Sequence, residues 1–171
     1  MDSPARPVLF MLALLLALPG PAHAQDGDLT PRFGLGTQGL VSTEDGFGLG
    51  LRTRASAPLN ADVSAAVDLG LTGFVFGGRD DAIYLFEPQV SLVVNLPSQG
   101  SRLPYLLAGV SGHFPLTRAD RSESGPVIHL GIGRVQALTD SSLFYEVNPG
   151  LLIGEESVDL LLPIRIGLIF R

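Results

Sequence analysis

The thirteen residues before the terminal arginine alternate without a break: Val158, Leu160, Leu162, Ile164, Ile166, Leu168 and Phe170 on one parity, with Asp159, Arg165 and Gly167 on the other. An extended strand sends successive side chains to opposite faces, so a period of two over this length describes a strand with one greasy face. Seven further segments repeat the pattern between short polar turns. The eight predicted strands are 33–42, 47–57, 62–76, 83–96, 103–114, 127–138, 143–153 and 158–170. Each has ten to fifteen residues, roughly twice the five or six usual in a soluble sheet and close to the ~9–11 that a tilted strand needs to cross hydrocarbon. After residue 24 no apolar run approaches the ~18 residues of a membrane helix. The expectation is an all-β chain, an eight-stranded antiparallel up-and-down transmembrane β-barrel.

Sorting by parity separates two chemistries. In 47–57, Phe47, Leu49, Leu51, Thr53 and Ala55 share a face, with Gly48, Gly50, Arg52, Arg54 and Ser56 opposite. Val63, Ala65, Val67, Leu69, Leu71 and Val75 alternate with Ser64, Ala66, Asp68, Gly70 and Thr72. Tyr84, Phe86, Val90, Leu92 and Val94 stand against Glu87, Gln89, Ser91 and Asn95. Leu106, Ala108 and Val110 form the cleaner face of 103–114. Leu143, Tyr145, Val147, Leu151 and Ile153 lie opposite Phe144, Glu146, Asn148 and Gly150. The sixth segment conflicts with itself. Ile128, Leu130 and Ile132 run into Arg134 and Gln136 on the same parity, which requires either a bulge or an arginine that snorkels to an interface.

The connections alternate between two ends. Residues 42–46, 77–82, 115–125 and 154–157 carry Glu44, Asp45, Asp80, Asp81, Asp120, Glu123, Glu155 and Glu156, so most of the net charge of -6 gathers at one rim. Residues 56–61, 97–102 and 139–142 fall at the other. Closing the meander removes the edge strands that neither water nor lipid tolerates.

Two barrels fit this pattern: a soluble one with its apolar face around a greasy ligand, and a membrane one with that face outward. Three observations favour the second. Arg52, Arg54 and Arg165 balance Asp68, Glu87 and Glu146, joined by Gln89, Asn95 and Asn148; such a set suits the narrow lumen that eight strands leave. Aromatic residues sit near strand ends, Phe47, Phe76, Tyr84, Phe86 and Phe114 toward the acidic rim and Phe33, Tyr105, Tyr145 and Phe170 toward the other, as in two interfacial girdles. The chain is 16% charged, below the ~25% of soluble domains. Turning Arg52 and Arg54 toward lipid at mid-membrane would cost about 2–4 kcal/mol each.

Residues 1–24 have the pattern of a cleavable signal peptide. Arg6 makes a positive start, an eleven-residue apolar stretch VLFMLALLLAL follows, Pro19, Gly20 and Pro21 end it, and Ala22-His23-Ala24 is a small-x-small cleavage site. Eleven residues span about 16 Å as a helix, half a bilayer core, which disfavours a transmembrane anchor. The two parts of the chain are then 1–24, the signal, and 25–171, the barrel, exported across the inner membrane to the outer membrane.

With these features the chain resembles the small outer-membrane β-barrel proteins of the OmpA/OmpX type. The last strand VDLLLPIRIGLIFR, the fifth segment PYLLAGVSGHF and the hairpin GIGRVQALTDSSLFYEV carry the resemblance, which extends over essentially all of 25–171. It implies that the final strand is an insertion signal read by the barrel-assembly machinery, a role that falls on Leu162, Ile164, Ile166, Leu168 and Phe170. Members of the group end on the aromatic itself, whereas here Arg171 follows Phe170.

Chemistry for catalysis is thin. Ser111 and His113 share a parity, but a serine hydrolase also needs an orienting carboxylate, and none can be placed. His113 and His129 are too few for a metal site, and no cysteine exists to supply one. The acidic pairs Asp80-Asp81 and Glu155-Glu156 have the character of solvated loop charge. Gly34, Gly36 and Gly39 precede no helix, so they are not a phosphate cradle. All eleven basic residues are arginine, outnumbered by seventeen acidic ones, which argues against a nucleic-acid partner. The sequence therefore points to no enzyme, no cofactor and no metal. It points to an outer-membrane protein of structural or interaction type whose partners are lipid and, in assembly, the insertion machinery, with any ligand unknown. A narrow pore or carrier of small solutes, a lipid-modifying enzyme and a soluble periplasmic hydrophobe-binding barrel are the alternatives.

Overall fold

The structure is a computed structural model and describes residues 30–43, 45–74, 83–97, 102–116, 124–154 and 157–170. The signal-peptide segment lies outside the described residues, as do Phe76, most of the acidic loop residues and Arg171. Nine extended segments follow in chain order: β1 (Arg32–Ser42), β2 (Gly46–Pro58), β3 (Val63–Phe74), β4 (Ile83–Asn95), β5 (Arg102–Pro115), β6 (Gly125–Ala137), β7 (Ser141–Val147), β8 (Gly150–Ile153) and β9 (Val158–Phe170). Every neighbouring pair is antiparallel, and β1 pairs with β9, so the sheet closes on itself.

The nine segments make eight staves. β7 and β8 both run between β6 and β9, and each keeps the register of the other on both sides: Ile132 faces Val147 and Val127 faces Leu152, while Val147 faces Ile164 and Gly150 faces Leu161. They are one strand interrupted at Asn148 and Pro149, because proline has no N–H to give the ladder. The ladder is bridged there by Leu130 N–H donating to the Pro149 carbonyl (3.1 Å) and Asn148 N–H to the Pro163 carbonyl (3.1 Å). Inward and outward side chains alternate straight through the interruption.

Register fixes the shape. A path across hydrogen-bonded partners from Arg32 through Ser56, Ala66, Ser91, Gly109, His129, Gly150 and Leu161 returns to β1 at Ser42, ten residues further along. Ten residues of stagger over eight strands, at ~3.3 Å rise and ~4.8 Å spacing, tilt the strands by about 40° and set a backbone radius of about 8 Å. That is room for side chains and little else.

The apolar parity faces outward on every strand. Leu49, Leu51, Leu69, Leu71, Leu92, Val110, Ile128, Leu130, Ile132, Leu160, Ile164 and Ile166 are all exposed, the reverse of a soluble barrel closed around a greasy ligand. β6 keeps one unbroken register with β5 from Gly125 to Gln136, so no bulge intervenes and Arg134 stands on the outer face. The girdle assignment of Tyr105 is corrected: its side chain is buried inside, because the odd parity of β5 faces the lumen. Phe33, Phe47, Tyr84 and Phe170 are outward and exposed.

Candidate functional site: the filled lumen

Inward side chains form tiers along the barrel axis. At the acidic rim Asp159 accepts hydrogen bonds from Ser42 Oγ (2.6 Å), Thr43 N–H (2.9 Å) and Thr43 Oγ1, which ties the β1 end to β9. Beneath it lies an apolar cap of Leu40, Phe74, Ile83, Leu85, Val127, Leu152 and Leu161. The sequence carries its signal as apolar residues on both parities near the acidic ends, such as Ile83-Tyr84-Leu85-Phe86 and Leu160-Leu161-Leu162. Parity sorting assigned the inner wall to polar residues and passed over this cap.

The middle tier is ionic. Glu146, on β7, is its hub. Its Oε1 accepts from Arg165 Nη1 (2.7 Å) and Arg54 Nη2 (3.1 Å), and its Oε2 from Arg54 Nη1 (2.9 Å) and Tyr105 Oη (2.9 Å). Four donors on two oxygens fill the acceptor capacity of a carboxylate. Arg54 Nε reaches Asp68 (2.8 Å), so one guanidinium joins two acids, with its face 5.3 Å from the Phe144 ring centre. Arg52 is looser: Nη1 donates to Gln89 Oε1 at 2.9 Å, and Nη2 stands 3.9 Å from Glu87.

Glutamines bridge the walls. Gln38 donates to Thr72 Oγ1 (3.0 Å) and Glu87 Oε2 (2.9 Å), and its carbonyl accepts from Arg165 Nε (2.8 Å). Thr72 Oγ1 also donates to Glu87. Gln89 Oε1 accepts from Arg165 Nη2 (3.0 Å), while its amide donates to Ser91 Oγ (2.8 Å), which in turn meets His129 Nε2 at 3.1 Å. Arg165 stands on β9 and Gln89 on β4, four staves apart in a ring of eight. Their hydrogen bond crosses the full diameter.

Arg52, Arg54, Asp68, Glu87, Gln89, Glu146 and Arg165 therefore meet in one connected network. Asn148 is buried beside them, but its Oδ1 finds no partner among the described residues, and neither do Arg52 Nε, Asp68 Oδ2, His113 Nδ1 and His129 Nδ1. Asn95 is exposed at the end of β4 and takes no part. Gln38, Thr72, Ser91, Tyr105 and His129 also belong to the network, beyond the residues that charge balance picks out. Gln38 lies in the weakly patterned first strand, and Tyr105, near a strand end, has the sequence position of a girdle residue.

Glycines on the inner wall make the fit possible. A Cβ on Gly133 would lie 2.2 Å from Cζ of Tyr105, its register partner. The Phe144 ring lies over the facing pair Gly36 and Gly167, where added Cβ atoms would approach it to 3.2 and 2.7 Å. Two rings thus occupy the space that the glycines leave open, one donating its hydroxyl to Glu146 and the other lying beneath the Arg54 guanidinium. Packing of this kind is the reason for the inner-face glycine at these positions.

Ser111 and His113 both point inward, with no hydrogen bond between them among the described residues. No group of three or more His, Cys, Asp or Glu residues able to hold a metal occurs among the described residues. No described helix is long and apolar enough to cross a membrane.

No family model and no curated protein matches the chain. Solved structures do. The barrel is similar to Neisserial surface protein A (NspA), with a TM-score of 0.70 at 15% identity over 82% of this chain and 96% of that one. It is also similar to the N-terminal β-barrel domain of Pseudomonas aeruginosa OprF (TM-score 0.54, 15% identity, 81% and 97%). A third is Ail, the attachment invasion locus protein of Yersinia pestis (0.52, 13%, 82% and 97%). At these identities the likeness is one of fold. The chain has the closed antiparallel architecture of the small eight-stranded outer-membrane barrels, the OmpA/OmpX-like type.

Proposed function

We propose that this barrel is an integral outer-membrane protein of structural or interaction type, non-catalytic, with a lumen that does not conduct. The observation that carries the reading is the hydrogen bond from Arg165 to Gln89 across the whole diameter, held within the network centred on Glu146. A passage would require those side chains to part, leaving buried charges without partners, at about 3–5 kcal/mol for each broken pair. The cap of Leu40, Phe74, Ile83, Leu85, Val127, Leu152 and Leu161 adds an apolar obstruction above it.

Orientation follows from connection length. The two longest connections, 75–82 and 116–124, fall at the acidic rim, which faces outward from the cell, while the other rim faces the periplasm. Export depends on residues 1–24 as a signal peptide. Insertion depends on Leu162, Ile164, Ile166, Leu168 and Phe170 as the signal for the barrel-assembly machinery, and these five stand outward on β9, open to a partner during assembly. Interaction with surface partners then rests on the acidic loops.

The test is conductance. The purified protein, refolded and inserted in a planar bilayer, is expected to give no discrete current steps. Stable, reproducible channel openings in the intact protein would overturn the reading in favour of a narrow pore.

A further inference from the structure

Among the described side chains, the outer wall carries one charged spot. On the outward parity of β1 to β9, Arg134 is the one ionised side chain among those described, and it lies three residues from the end of β6 at the short-turn rim. Tyr145 is its register partner on β7 and Pro104 its partner on β5. Tyr145 Oη donates to Gln136 Oε1 at 3.0 Å, which engages the amide oxygen of Gln136 and leaves its NH2 group as a donor. Arg134 itself makes no ion pair or hydrogen bond among the described residues, and Asp140 in the turn below does not reach it. Arg134 and Gln136 therefore stand two residues apart on the outward parity of β6, with no described carboxylate bonded to either.

The depth of the spot is right for a headgroup. Three residues of a strand tilted by about 40° place the Arg134 backbone about 8 Å inside the strand end. An arginine side chain is long enough to bridge that distance by snorkelling, which would carry its guanidinium to the phosphate level. A guanidinium offers a planar fork of donors that fits two oxygens of a phosphodiester.

We propose that Arg134, Gln136 and Tyr145 form a binding site for the phosphate of an anionic glycerophospholipid in the periplasmic leaflet. Arg134 supplies the bidentate contact, Gln136 a further donor, and Tyr145 orients Gln136. The site rests on the membrane orientation proposed above. The acyl chains of the bound lipid run along the outward Ile132, Leu106 and Val147, which continue from the spot toward the bilayer centre.

The experiment is native mass spectrometry of the folded barrel in detergent, titrated separately with phosphatidylglycerol, phosphatidylcholine and glycerol phosphate. Wild type is expected to retain one phosphatidylglycerol with about fivefold preference over phosphatidylcholine, the worth of one favourable surface charge contact. Glycerol phosphate should not compete, since the acyl chains contribute most of the binding. R134Q should abolish the preference, and Y145F should weaken it while leaving the arginine in place. Equal retention of both lipids by wild type, or an undiminished preference in R134Q, would overturn the proposal. So would displacement of the lipid by glycerol phosphate, which would make the site a free-phosphate one. Unboiled electrophoretic mobility reports separately whether each protein is a folded barrel, so failure of the membrane-barrel reading is distinguishable from failure of the lipid site.

Discussion

On β9 the outward series from Val158 to Phe170 and the inward series Asp159, Leu161, Pro163, Arg165, Gly167 and Ile169 come from the same thirteen residues and answer to different demands. The outward side chains meet acyl chains, a fluid that fills any shape, so their shared requirement is to be apolar. Each inward side chain meets particular atoms from other strands. Arg165 needs Glu146 from β7, Gln38 from β1 and Gln89 from β4, and Gly167 must be empty for the Phe144 ring. The wall is thus permissive in shape and strict in polarity on one side, and strict in both on the other. An error inside strands a buried charge or forces two groups into one space, whereas outside it is severe only when it brings charge.

The largest expected effect comes from the hub. Glu146→Ala removes the acceptor of two arginines and of Tyr105 together, leaving like charges buried and unpaired. A loss of about 3–5 kcal/mol is expected, read as a shift of the urea midpoint for barrels in lipid vesicles, with unboiled gel mobility reporting the folded fraction. A midpoint within error of wild type would mean that the lumen admits water freely and the charges are not buried in energetic terms. The strongest error on the outer wall is next. Ile164→Arg puts a charge at mid-strand on the lipid face, at a cost of about 2–4 kcal/mol. Because its neighbour Arg165 points inward, the pair tests parity directly: Arg165→Gln should be far milder, while Ile164→Arg depletes folded protein from the membrane fraction. Equal tolerance of both would reverse the assignment of faces.

This asymmetry also governs what was legible from sequence. The outward face is a one-body rule, apolar at every second position; the bounds of all eight strands are legible to within a few residues at each end, but the Gly-rich 33–42 shows no face of its own. Its apparent failure at Arg134 is a real residue on the outer wall, not a slip of register. The ionic middle of the lumen was readable by charge balance, since a closed small barrel can hold Arg52, Arg54 and Arg165 only against an equal number of acids. Who bonds whom was not, because a stagger of ten residues decides which side chains share a level, and that number is a property of all eight pairings together. Tyr105 shows the limit well. Near a strand end it has the look of a girdle residue, and its inward course is decided by β5 parity and by Gly133 on the adjacent strand. The alternation of 143–153 predicts an unbroken seventh strand, and in register it is one; the gap at Pro149 reflects a missing N–H.

The last and smallest contrast separates shape from polarity. Gly133 and Ile132 are neighbours on β6, one inward and one outward. Gly133→Val would drive its side chain into the Tyr105 ring, where even a Cβ lies within 2.2 Å of Cζ. Overpacking of a close-fitted interior costs about 1–3 kcal/mol, and displacement of Tyr105 also loosens its bond to Glu146. Ile132→Val removes a methylene from the wall that faces lipid, where acyl chains close the space, so its midpoint should move by less than about 0.5 kcal/mol. The double variant Gly133→Val with Tyr105→Ala sharpens the comparison: if the clash is the cause, the second change recovers part of the loss although it discards a hydrogen bond. Were Gly133→Val instead as silent as Ile132→Val, the inner wall would be as accommodating as the outer, and the lumen would hold space beyond what its side chains fill.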